Sequence, residues 1–102
     1  MNKEREVNIM LIASCQIKLI APWVHSLKEK RMIIKSLLAK LRNQFNVTVA
    51  EIDCQDIHQT IVIGIAAIVA NRQVGDSTID HILDFIEEST EAEIIDVIRE
   101  ID

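Results

Sequence analysis

The sequence contains few of the residues that interrupt regular structure, with only two glycines and a single proline in 102 residues. Hydrophobic residues make up 49% of the chain and charged residues 26%. Because a chain with this much apolar material can bury a core, the composition excludes a disordered or fibrous protein. The length suits one domain and leaves no room for two independent cores. We therefore expect a single compact domain.

Aromatic residues are also scarce. The chain has Trp23, Phe45 and Phe85, and it has no tyrosine. Modules that bind single-stranded RNA on a sheet stack the bases on aromatic side chains. None of these three residues falls on a central strand of the sheet predicted below, so the sequence disfavours that mode of RNA binding.

Two cysteines, Cys15 and Cys54, are too few for a disulfide framework in a chain of this length. They indicate a reducing compartment, and we expect a cytoplasmic protein. No stretch reaches the roughly 18 uninterrupted apolar residues that a transmembrane helix requires. The sequence therefore predicts a soluble protein with no membrane partner.

The spacing of the apolar residues predicts four strands and two helices in the order βαββαβ. Apolar residues alternate from Val7 to Leu19, which is typical of a strand whose odd-numbered face lies in the core. Residues 60–70 are apolar on both faces, as expected for a central strand. Residues 47–53 and 92–101 carry acidic residues among the apolar ones, which favours sheet edges.

Both helices are predicted to be amphipathic and to begin at recognisable caps. The first spans about Leu27 to Gln44, with Ser26 and Glu29 spaced as a capping box in which the glutamate reaches back to the cap. The second is expected to begin with Asp76 or Ser77 as its N-cap.

Two apolar central strands between two charged edge strands predict an α+β fold, a ferredoxin-like βαββαβ domain. Its four-stranded antiparallel sheet has the order 4-1-3-2, and both helices cover one face. Residues 7–102 form this domain, and residues 1–6 are predicted to be a flexible charged terminus. The strands that carry Cys15 and Cys54 are not neighbours in this order, which argues against an internal disulfide.

The charge is unevenly distributed along the chain. Residues 1–50 carry nine of the 11 lysines and arginines against three acidic residues, and residues 51–102 carry two against 13. In the first helix, cations recur at i, i+3, i+7 and i+14, which places them in one stripe that could grip phosphates. They are Lys28, Arg31, Lys35 and Arg42. In the alternative interpretation this stripe is solvated and partly paired with acidic residues of the second helix. Those residues are Asp80, Asp84, Glu87 and Glu88.

A second group of reactive side chains lies between the second and third strands. Carboxylates, a thiol and an imidazole fall within eight residues, namely Glu51, Asp53, Cys54, Asp56 and His58. Asp53, Asp56 and His58 suffice in kind for a metal or acid–base site. Their spacing matches no metal-ligand pattern, and polar residues collect at exposed turns. A structural role is therefore favoured, and a small enzyme or metal-binding protein is the alternative.

Three segments form a specific set along the chain. They are SLKEKR at residues 26–31, FNVTVAE at residues 45–51, and Gln55, Asp56, Gln59 and Gly64. In order and spacing they resemble the YlxP-like family of small bacterial proteins, and the resemblance covers about Ile9 to Ile101. It implies a ferredoxin-like fold, a cytoplasmic location, and genes beside those for translation initiation and ribosome-maturation factors, but no defined activity. His58 departs from the family pattern, which commonly has an aromatic residue there.

These observations favour a non-enzymatic binding protein that contacts RNA or a ribosomal assembly intermediate and needs no cofactor. Its candidate site consists of the first-helix cations, namely the four of the stripe together with Lys30. The predicted set is Lys28, Lys30, Arg31, Lys35 and Arg42.

The face of the sheet away from the helices is predicted to be apolar. The first strand offers Met10 and Ile12 there, and the third strand is apolar on both of its faces. An exposed apolar patch of roughly a few hundred Å² indicates a partner surface. We expect a twofold homodimer through this open sheet face, with a different protein, such as a ribosomal protein, as the alternative partner.

Overall fold

A computed structural model describes residues 10–102 of the chain. It contains six elements in the predicted βαββαβ order, namely β1 (Leu11–Ile20), α1 (Leu27–Gln44), β2 (Thr48–Asp53), β3 (Thr60–Val69), α2 (Arg72–Ser89) and β4 (Glu93–Ile101). The predicted flexible terminus, residues 1–6, lies outside the described residues. Within the described range, neither helix has the length and apolar character needed to cross a membrane.

The four strands form one antiparallel sheet in the order β2-β3-β1-β4. This is the predicted strand order counted from the other edge, and with two helices it gives the α+β ferredoxin-like fold. β1 pairs along its whole length with β3, so that Ile12 lies opposite Ile68 and Ile17 opposite Ile63. The two most apolar strands therefore occupy the centre, where both of their edges are hydrogen-bonded.

The core lies between the sheet and the helices. Alternate residues of β1 are buried there, as predicted from the period of two, and β3 adds its own alternate set. The buried residues of β1 are Ala13, Cys15, Ile17 and Leu19, and those of β3 include Ile61, Ile63 and Ile65. Each buried Leu or Ile contributes roughly 1.5–3 kcal/mol of transfer free energy. The predicted strand start at Val7 lies outside the described residues.

α1 begins where the capping box predicts. The hydroxyl of Ser26 accepts the N–H of Glu29 at 3.1 Å. The Glu29 carboxylate accepts the N–H of His25 at 2.8 Å, so the reciprocal bond reaches one residue before the cap. After the helix ends, Phe45 packs edge-to-face against Phe85 of α2, with ring centroids 5.6 Å apart. This aromatic contact joins the end of α1 to α2.

α2 begins earlier than predicted, and the expected cap at Asp76 or Ser77 is wrong. The N-cap is Asn71, whose side chain accepts the N–H of Val74 at 2.8 Å. Asparagine caps a helix as well as aspartate or serine, and Asn71 follows β3 closely, so the helix starts almost as soon as the strand ends. The early start places Gly75 against the sheet, where an added Cβ would lie 2.9 Å from Cδ1 of Ile101.

Candidate functional site

The four cations of the predicted stripe are all exposed on α1. Lys28, Arg31, Lys35 and Arg42 lie within about 60° of one another around the helix axis, because each residue advances a helix by about 100°. Nη2 of Arg42 also donates a hydrogen bond to the carbonyl of Val49 at 3.3 Å, which anchors this end of the stripe to β2. The other three side chains extend the positive surface along the helix.

The predicted pairing of this stripe with acidic residues of α2 is wrong for the described residues. Between residues 10 and 102, the ion pairs join Lys30 to Glu51 and Arg99 to both Asp76 and Asp80. The Asp80 carboxylate accepts a hydrogen bond from Nη1 of Arg99 on β4 at 2.9 Å. This bond is the main cause of the raised pKa of Arg99. In this described range, the four cations of the stripe therefore form no ion pair with the acidic residues of α2.

Lys30 does not belong to the exposed stripe, and its inclusion in the candidate interface requires correction. Only 1% of its surface is exposed. It lies about 200° around the helix from Lys28, on the side that carries the buried Ile34 and Leu37. Because this side faces the sheet, the Lys30 ammonium is not available to a phosphate, and the prediction that Lys30 contacts RNA is wrong.

The buried ammonium of Lys30 instead holds the turn between β2 and β3. It donates hydrogen bonds to the carbonyls of Cys54 at 2.5 Å and Ile57 at 2.7 Å. It also lies 3.1 Å from Oε2 of Glu51, a buried atom with no other polar partner among the described residues. One cation therefore neutralises a carboxylate and satisfies two backbone acceptors.

The backbone of this turn explains why it needs such support. Cys54 has a φ of 56°, in the left-handed region that is unfavourable for residues other than glycine. The N–H of Ile57 closes the turn on the carbonyl of Cys54 at 3.0 Å. This site was not predicted from the sequence, although one signal was present. Lys30 falls four residues before the apolar Ile34 and therefore on the same, buried side of the helix.

The polar side chains of the turn do not converge on one another. Asp53, Asp56 and His58 are all exposed, and the Asp53 carboxylate accepts the N–H of the adjacent Cys54 at 2.8 Å. Among residues 10–102, no three His, Cys, Asp or Glu side chains are placed to hold a metal ion. The metal-site hypothesis for Asp53, Asp56 and His58 therefore finds no ligand set in this part of the chain.

Both cysteines are free, and their environments differ. Cys15 is buried on the core face of β1, and burial raises the pKa of its thiol, with a smaller opposing effect from Arg99. Cys54 is half-buried at the turn after β2. The two thiols therefore differ in their access to solvent.

The sheet face away from the helices presents a ridge beside a depression. The ridge consists of Met10, Ile12 and Ile68, whose exposures are 62%, 42% and 72%. The depression has a volume of about 300 Å³. It is lined mainly by small residues, including Ser14, Ala50, Gly64 and Ala66, with Ile52 as one wall. The predicted open face is therefore uneven, with a raised region next to a sunken one.

Trp23 lies where the turn between β1 and α1 meets the end of α2. Its indole lines a surface hollow together with Glu87 of α2. The amide of Gln59 holds this turn by donating to the carbonyls of Pro22 and Val24, each at 3.1 Å. Gln59, the residue before β3, thereby fixes the segment that leads into α1.

Comparison with known proteins identifies the family. The model of a protein family of unknown function, DUF503, matches residues 12–99. The chain belongs to the DUF503 family. The uncharacterized protein YlxP of Bacillus subtilis (strain 168) is 40% identical to it over 68 residues, which span 67% of this chain and 74% of the relative. The predicted resemblance to the YlxP-like family is therefore confirmed, and neither name carries an activity.

The three segments from which the family resemblance was predicted have visible structural roles. Ser26 and Glu29 cap α1, and Lys30 from the same segment pairs with Glu51 at the end of the second segment. Gln59, from the third set, holds the turn before α1. These residues secure the fold, whereas the four cations of the α1 stripe are exposed and form no ion pair among residues 10–102.

Proposed function

We propose that this chain is a non-enzymatic binding protein that contacts structured RNA, free or within a ribosomal assembly intermediate, through the α1 stripe. The observation that carries the proposal is a stripe of four exposed cations with no acidic partner among residues 10–102. Arginine supplies bidentate contacts to phosphate and lysine supplies a point charge. The translation-linked gene neighbourhood implied by the family resemblance supports RNA as the partner.

The charge distribution limits how RNA would approach. The net charge of −5 and the exposed acidic residues of α2, such as Asp84 and Glu87, repel phosphates from most of the surface. Binding is therefore weak and confined to one side of α1. Because β1 and β3 present no aromatic side chain, recognition rests on phosphates and is insensitive to base sequence.

Salt-dependent binding to ribosomal subunits and to a structured ribosomal RNA fragment tests this proposal. If all four cations contact phosphates of a duplex, the logarithm of the binding constant falls with the logarithm of salt concentration with a slope of about −3.6. A variant that combines Lys28→Ala, Arg31→Ala and Lys35→Ala should reduce that slope to about −1 and bind at least tenfold more weakly at low salt.

Lys40→Ala is the matched control, because Lys40 is exposed on the opposite side of α1 from the stripe. It should leave the slope within error of the wild-type value. Absence of binding at low salt, or equal weakening by Lys40→Ala and Lys35→Ala, would remove α1 as the RNA contact.

A further inference from the structure

The open sheet face combines raised and sunken regions at matching positions of two paired strands. Ile12 on β1 and Ile68 on β3 are directly opposite each other and form the raised part. Four residues further along the sheet, Gln16 is opposite Gly64, at the depression. Gly64 has no side chain, and a Cβ there would lie 3.0 Å from Cγ2 of Ile52. The register of the two central strands therefore determines where the face is raised and where it is sunken.

We propose that a second copy of this chain covers the open face, with the Ile12–Ile68 ridge of each copy seated in the Gly64 depression of the other. A twofold axis that crosses the strands at Ser14 and Ala66, which form the wall of the depression nearest the ridge, brings the Ile12–Ile68 pair of each copy over Gly64 of the other. Such an interface is self-complementary, as a twofold dimer requires. A flat partner would contact the ridge and leave the depression unfilled.

The size of the face is sufficient for a specific but modest interface. Strands of ten, ten, nine and six residues lie side by side in the sheet. At about 3.3 Å per residue and about 4.8 Å between strands, the face measures about 550 Å². Two copies would then bury about 1,100 Å², which passes the threshold of about 1,000 Å² for a biological interface. An interface of this size is at the low end for specific complexes, so we expect a reversible dimer.

The apolar content of the face is the second argument for burial. Ile98 on β4 lies on the same face opposite Gln16, four residues along the strands from Ile12, and more than half of its own surface is exposed. Exposed isoleucines on three strands of one sheet face mark it as an interaction site. The helices lie on the other layer, so this dimer leaves the α1 stripe accessible and the inference goes beyond the proposed function.

Sedimentation equilibrium across concentrations up to about 100 micromolar tests the dimer. The wild-type chain should reach twice its mass of 11.6 kDa. Ile68→Asp places a charge on the ridge of both copies and should raise the dissociation constant by at least about a hundredfold. Met32→Asp is the matched control, because Met32 is 65% exposed on α1 and should leave the dimer intact. Circular dichroism of both variants verifies that they are folded.

Ala66→Leu distinguishes an interface of complementary shape from non-specific apolar association. It enlarges a side chain in the depression, so it should weaken a dimer that seats a ridge there, whereas a non-specific apolar association would tighten. A wild-type monomer at the highest concentration overturns the proposal. A dimer that survives Ile68→Asp, or one that Ala66→Leu strengthens, overturns it equally.

Discussion

The ammonium of Lys30 lies 3.1 Å from the carboxylate of Glu51, and this ion pair joins the start of α1 to β2. Lys30 belongs to SLKEKR at the start of α1, and Glu51 closes FNVTVAE in β2. The pair links the helical layer to an edge strand at the point where the strand turns back. A charged residue thereby acts as part of the core.

Lys30→Met should destabilise the fold by about 3 kcal/mol, because it leaves a buried carboxylate unpaired and removes the donor to the carbonyls of Cys54 and Ile57. Urea unfolding measures the loss. Lys28→Met, on the exposed side of the helix, should change stability by no more than about 0.5 kcal/mol. Adding Glu51→Gln to Lys30→Met should recover part of the loss, and equal losses in the two lysine variants would refute the role of the pair.

Asn71→Ala should cost about 1 kcal/mol, because the Asn71 side chain caps α2 by accepting the N–H of Val74. Asn71→Asp should retain most of the stability, since aspartate is an equally good cap. Thermal unfolding of the two variants is the measurement. Ser77→Ala, at a position predicted as the cap from the sequence, should have an effect within about 0.5 kcal/mol. A larger loss of stability for Ser77→Ala than for Asn71→Ala would contradict the assignment of Asn71 as the N-cap.

Gly75→Val should destabilise the protein by about 2 kcal/mol through overpacking between α2 and the sheet. A Cβ at this position already lies 2.9 Å from Cδ1 of Ile101 and 3.3 Å from Cγ2 of Val69. Valine has a higher helix propensity than glycine, so propensity alone predicts the opposite sign. Ser77→Val, exposed on the same helix, serves as the control in denaturant unfolding. Stabilisation by Gly75→Val would show that α2 can move away from the sheet.

Cys15 should resist alkylation in the folded protein. Burial raises the pKa of its thiol and so lowers its thiolate fraction, and only the thiolate reacts with iodoacetamide. Cys54 is half-buried and should react at least about tenfold faster. Peptide mass spectrometry measures both rates, and Cys54→Ser should leave the native protein nearly unmodified. In urea the two cysteines should react alike; a fast native reaction at Cys15 would mean that β1 opens readily.

The strands and α1 could be predicted because their signals are local. Alternation in β1 and the apolar positions of α1 follow directly from the periods of a strand and a helix. The sheet order also followed, because the apolar and charged strands separate into central and edge positions. These elements agree with the structure to within a residue or two wherever the structure describes them.

Lys30 and the start of α2 could not be predicted because their environments are not local. The partners of Lys30 lie more than 20 residues away in the sequence, and only the tertiary fold brings them to its ammonium. At α2, Asn71, Asp76 and Ser77 are all competent caps, and the choice depends on where β3 ends. The exposed stripe could be predicted from the spacing of its cations. Its lack of an ion pair with Asp80 could not, because Asp80 pairs with Arg99 of β4.

The position of Trp23 gives this chain a built-in optical probe. With one tryptophan and no tyrosine, its intrinsic emission at long wavelength comes from a single indole. That indole sits between the entry to α1 and the end of α2, on the opposite layer from the open sheet face. Emission should therefore change when the helices separate during unfolding and stay constant when two sheets associate. Fluorescence and sedimentation would then follow folding and assembly as two independent signals from the unmodified chain.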